Sequence, residues 1–138
     1  MKYLTLGFLV LSFFLLCCKK NIKRNKDIHE RLIYFKSSTT MTMDDIVKLD
    51  HRAYQKLQSN EFNKKTDTIR FDKEIIYISY LSIVNGCADY SGDIEIKKDS
   101  IFLKLNNING IECTEQRCDR LIFKIRNPNK EKYKVVKW

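Results

Sequence analysis

Gly92–Leu105 reads GDIEIKKDSIFLKL, and a single register makes sense of it. With Lys98 and Asp99 as the central residues of a two-residue turn, Ile96 faces Ile101 and Ile94 faces Leu103, both pairs on one side. On the other side Asp93 meets Lys104 and Glu95 meets Phe102. Slipping the pairing by one residue would mix charged and apolar side chains on both sides. The alternation therefore specifies an antiparallel hairpin with one buried face.

Upstream of the hairpin, Ile75–Val84 (IIYISYLSIV) is apolar at both parities, as a central strand covered on both sides would be. Asn85-Gly86 ends it in a turn, and Thr68–Phe71 before it is a short strand candidate. Downstream, Asn106–Cys118 (NNINGIECTEQRC) is a long polar connection. Leu121, Phe123 and Ile125 then alternate with Arg120, Lys124 and Arg126, and only Ile122 interrupts the pattern. Asn127-Pro128-Asn129-Lys130 turns the chain, and Tyr133–Trp138 supplies a last strand.

The N-terminal part has a different periodicity. Ile28–Phe35 (IHERLIYF) suits a short helix or an edge strand, and Ser37-Ser38-Thr39-Thr40 reads as a loop. Thr42 followed by Asp44 and Asp45 is a helix start, with a hydroxyl cap and acids in the first turn. Apolar residues at 43, 46, 47, 53, 54 and 57 share one helical face. Asp50 falls within that face, either as a buried, pKa-shifted acid or as a break that caps a second helix. Asn60–Asp67 is a polar loop. The expectation is an α+β fold: a small antiparallel β-sheet or partly open barrel of five or six strands, with one or two N-terminal helices, forming a single domain over residues 28–138.

Ahead of that domain stands a targeting segment. Lys2 precedes an apolar run, Leu4–Leu16, too short for a bilayer span, which needs about 20 residues. The run ends on Cys17-Cys18-Lys19-Lys20. This pattern resembles a bacterial lipoprotein signal, whose cleavage leaves a lipid-bearing cysteine at the new N-terminus. Cys18 suits the position, with Leu15 at −3 and the small Cys17 at −1. Cys17 is the alternative and would place bulky Leu16 at −1. The resemblance implies a signal peptide over 1–17 and attachment to the cell envelope, at the periplasmic side of the outer membrane if the host has two membranes. Residues 18–27 form a tether with five basic residues, Lys19, Lys20, Lys23, Arg24 and Lys26.

The whole chain carries a formal net charge of +9, and loss of Lys2 leaves +8. Such a charge favours the membrane surface or another anionic envelope component or protein as partner; an exported chain has little occasion to meet nucleic acid. Export also permits disulfides. Cys87 and Cys113 flank the hairpin and form the expected pair, with Cys113–Cys118 as the alternative. Cys118 shares parity with Arg120 and Lys124, which assigns it to the polar face. His29 and His51 are remote from the cysteines and no C-x-x-C occurs, so no metal centre or cofactor is expected. Asp50-His51 are sequence neighbours that point about 100° apart on a helix and make no dyad. Asp89, Asp93, Glu112 and Glu115 read as loop carboxylates offsetting the basic excess. No catalytic constellation emerges.

Gly86-Cys87, then Tyr90-Ser91-Gly92, a hairpin and Cys113 together resemble META-domain envelope lipoproteins, although Ala88 stands where those proteins carry asparagine. The resemblance covers about thirty residues and implies a small antiparallel sheet domain with a non-enzymatic role. Sequence alone thus leads to a monomeric, lipid-anchored binding or structural module. The alternative is an inhibitor or immunity-type protein acting against a toxin or cell-wall hydrolase.

Overall fold

The computed structural model describes residues 28–137. The signal segment 1–17, the tether and both lipidation candidates, Cys17 and Cys18, lie outside the described residues. Strand β1 (Leu32–Met41) leads to helices α1 (Met43–Ile46) and α2 (His51–Gln58). There follow β2 (Thr68–Asp72), β3 (Ile75–Asn85), β4 (Tyr90–Lys97), β5 (Ser100–Asn107), β6 (Gln116–Arg126) and β7 (Lys134–Val136). All of these elements lie within residues 28–137, so a chain beginning at Lys19 carries the whole described fold.

The α+β class holds, but the architecture differs from expectation in two respects. The described residues form seven strands rather than five or six, in two open sheets rather than one sheet or a partly open barrel. One sheet is antiparallel in the order β1-β6-β3-β2. The other, β4-β5-β7, is mixed, because β7 runs parallel to β5. The additional strand is β1, which continues through Ser37–Thr40 where a loop was expected. Those hydroxylated residues are held by partners distant in sequence. Ser37 Oγ donates to Asp119, and Thr40 Oγ1 donates to the Cys118 carbonyl at 2.9 Å.

The hairpin has the register its alternation demands: Ile96 opposite Ile101, Ile94 opposite Leu103, Asp93 opposite Lys104 and Glu95 opposite Phe102. Ile94, Ile101 and Leu103 join Ile76, Ile78 and Tyr80 of β3 and Leu121, Phe123 and Ile125 of β6 in one core between the sheets. Gly92 lies beneath Phe35 of β1; a Cβ there would overlap the phenyl ring, which packs edge-on to Phe123 at 5.0 Å. The sheets approach closely at this point because residue 92 has no side chain. β3 is internal, as expected, but only its core-facing side is fully covered. Tyr77 and Leu81 on its outer side are half-buried.

The single helical face breaks at Asp50, whose carboxylate accepts from the Ala53 N–H at 2.8 Å and caps α2. Asp45 accepts from both the backbone N–H and the hydroxyl of Thr42, and these bonds hold its carboxyl below the ordinary range.

Candidate functional site

The outer face of the four-stranded sheet carries a row that crosses all four strands. Tyr34 of β1 pairs with Lys124 of β6, Lys124 with Tyr77 of β3, and Tyr77 with Arg70 of β2. Strand alternation puts all four side chains on the same side. Lys124 Nζ lies 4.9 Å from the centre of the Tyr34 ring, and Arg70 Cζ lies 5.2 Å from that of Tyr77. Each cation thus rests on a negative ring face while its charge stays open to solvent.

The next row, Arg126–Ile75–Asp72, lines a shallow cleft of about 1150 Å³ together with Ile33, Phe71, Glu74, Lys73 and Lys130. Five cationic residues there face only two acids, and one of these, Asp72, is paired with Arg70. Among the described residues Lys73, Lys124, Arg126 and Lys130 have no ion-pair partner. Between the cations lie Ile33 and Ile75, exposed by 43% and 38%, while Phe71, opposite core-facing Ile76, reaches the rim from the other side of β2. The surface combines uncompensated positive charge with aromatic and aliphatic groups.

A second cleft, about 620 Å³, lies at the disulfide end and is lined by Gln58, Asn60, Asn85, Tyr90, Glu115, Gln116 and Lys137. Several of its polar groups are already engaged. Asn85 Oδ1 accepts from the N–H groups of Cys87 (3.0 Å) and Cys113 (3.3 Å), and Asn85 Nδ2 donates to the Cys113 carbonyl. Gln116 accepts from the Tyr54 hydroxyl. Lys137 Nζ donates to Asp67 at 2.7 Å and to the Glu61 carbonyl at 2.8 Å, between the rings of Phe62 and Tyr80. The Asp67 and Lys137 side chains are only 2% and 5% exposed. Burial opposes ionisation of Asp67, but hydrogen bonds from Lys137, Asn63 and Thr66 outweigh it and hold the carboxyl below its ordinary value. Burial pushes the Tyr80 phenol up, and the Asp67 charge adds to the effect. This pair fastens the C-terminal strand to the loop before β2.

Cys87 and Cys113 are bonded, with Cα atoms 5.8 Å apart, and Cys118 is free and buried. The alternative Cys113–Cys118 pairing is therefore overturned. The polar-face placement of Cys118 is also corrected. Its parity is that of Arg120 and Lys124, but α1 packs on this end of β6 and burial pushes the thiol pKa up. Glu115 comes within 4.8 Å of both bonded sulfurs, which are joined to each other and offer no thiolate.

The remaining candidates are separate. His29 Nδ1 accepts from the Arg31 N–H, while His51 opens α2. Asp89 accepts from Asn109, and Asp93 accepts from the backbone N–H groups of His29 and Ile94. Asp119, which no sequence pattern marked, is buried on the core side of β6. It binds Arg117 at 3.0 Å, and that guanidinium also donates to the carbonyls of Gly86 and Ala88. The network links β1, β6 and the disulfide loop. No family model matches this chain, and no curated protein or solved structure matches it significantly.

Proposed function

We propose that this protein is a lipid-anchored cell-envelope module, attached through Cys18 (Cys17 being the alternative), that works by binding an anionic partner without catalysis. The binding surface in this reading is the Tyr34–Lys124–Tyr77–Arg70 row and the adjoining cleft. The observation that carries it is the set of cations there left without acidic partners. The other cleft supports it less, because its polar groups hold the fold together.

The test compares two variants that lose the same charge. Retention of the Lys19-onward chain on dextran sulfate is followed as salt rises. Lys124→Gln/Arg126→Gln should lower affinity by roughly ten-fold, two contacts of about 1 kcal/mol each in water, partly screened. Lys97→Gln/Lys104→Gln, on the other sheet, should change it little. Equal losses would mean that net charge alone acts and would reject the site. Lipid attachment is tested by labelled fatty acid, which Cys18→Ala should exclude.

The inhibitor or immunity-type alternative draws on β2. Every residue of this edge strand is exposed, including Ile69 and Phe71, and it borders the basic cleft. An open edge beside a cationic surface suits strand addition by an acidic protein.

A further inference from the structure

We infer that the anionic partner of this face is phospholipid: the domain lies with the outer side of its four-stranded sheet against an acidic membrane surface. The inference rests on the binding reading above and names its ligand. A soluble polyanion would engage Lys73, Lys124, Arg126 and Lys130 but would have no use for Ile33 and Ile75 exposed between them. The headgroup region of a bilayer meets both needs, with phosphates for the cations and an apolar boundary for the aliphatic and aromatic groups. Tyr34 and Tyr77 suit the same depth, each with an apolar ring and a polar tip.

Arg31, just before β1, accepts through its carbonyl from the Arg126 N–H at 2.8 Å, and Ile33 lines the cleft. Ahead of it, His29 N–H donates to Asp93 of β4 at 2.8 Å and Ile28 lies beside Lys104, so the chain enters along β4 and crosses to β1 before it meets the basic face. α1 packs on the opposite end of β6. Residues 18–27 are ten in number and reach at most about 35 Å when extended, so an anchored domain stays within reach of the surface. Docked this way, the molecule turns the outer side of β4-β5-β7 away from the membrane.

The experiment mixes the Lys19-onward chain with phosphatidylcholine vesicles, with and without phosphatidylglycerol, and measures co-sedimentation. Binding should require phosphatidylglycerol. Lys124→Gln/Arg126→Gln should lower the partition coefficient about twenty-five-fold, near five-fold per cation removed, whereas Lys97→Gln/Lys104→Gln should change it less than about two-fold. A further variant, Ile33→Ser/Ile75→Ser, should weaken vesicle binding by a larger factor than it weakens dextran sulfate binding, and equal losses would overturn the lipid assignment. Vesicle binding that survives Lys124→Gln/Arg126→Gln would assign it to the basic tether and overturn the inference. Binding of dextran sulfate through this face without vesicle binding would overturn the lipid assignment alone. Failure of both probes would overturn the binding reading as well.

Discussion

The two sheets share one core, yet their outer faces treat lysine in opposite ways. On β4-β5 the two outward lysines are met by two acids: Glu95 binds Lys97 at 2.8 Å and Lys104 at 2.9 Å, and Asp93 stands opposite Lys104. Hydrogen bonds from these two lysines lower the Glu95 pKa to about 2, so the carboxylate stays charged through most of the acid range. On β1-β6-β3-β2 the cations rest on tyrosine rings or stand unpaired beside exposed aliphatic groups. Lys137 represents a third treatment, buried and enclosed by Asp67, Phe62 and Tyr80. A lysine's role here follows from its partner: paired and buried it holds the fold, paired and exposed it keeps a face neutral, and unpaired it leaves charge available for a ligand.

That division can be broken most forcefully at Lys137. Lys137→Met leaves Asp67 as a buried charge without its partner and should cost about 3 kcal/mol in urea denaturation. Binding to dextran sulfate by the folded fraction should be unchanged. If binding falls with Lys137 while stability holds, the roles assigned to the buried and exposed cations are reversed. The same pair gives an acid signature. The folded Asp67 pKa lies below its ordinary 3.8, so its stabilisation is complete above that value and is lost as pH falls through the lower folded one. Asp67→Asn/Lys137→Met should remove that loss from the pH dependence of the unfolding midpoint.

Close packing of the sheets is tested at Gly92. Gly92→Ala forces Phe35 from its place against Phe123 and should cost about 1–3 kcal/mol by thermal or urea unfolding. A neutral result would mean that the sheets separate easily and that the two faces are not rigidly opposed. The smallest effect on stability belongs to Glu95→Gln, because its ion pairs are open to solvent and screened. It sharpens the comparison by freeing Lys97 and Lys104. The formerly neutral face should then bind dextran sulfate measurably, seen as Lys97 and Lys104 becoming protected from acylation by the polymer.

The elements legible in sequence were those fixed by short-range alternation. The Gly92–Leu105 register follows because only one pairing sorts four isoleucine and leucine residues from the charges. Asp50 as a cap is equally local, since its partner is three residues away. Cys87 and Cys113 could be paired because the hairpin between them returns the chain to its start. Ser37–Thr40 carries no alternating apolar signal, and its strand depends on Asp119 and Cys118, about eighty residues later. Cys118 has the expected parity, but the helix covering its end of β6 has no signature near position 118. The cation–tyrosine row was hidden for the same reason: its four residues come from four strands and become neighbours only once the sheet order β1-β6-β3-β2 is known.

The most direct test of the unpaired-cation account is lysine acylation of the Lys19-onward chain, read by peptide mass spectrometry with and without saturating dextran sulfate. The account predicts protection of Lys73, Lys124 and Lys130 while Lys97 and Lys104 react as before. Equal protection on both sheets, or protection confined to Lys97 and Lys104, would contradict it.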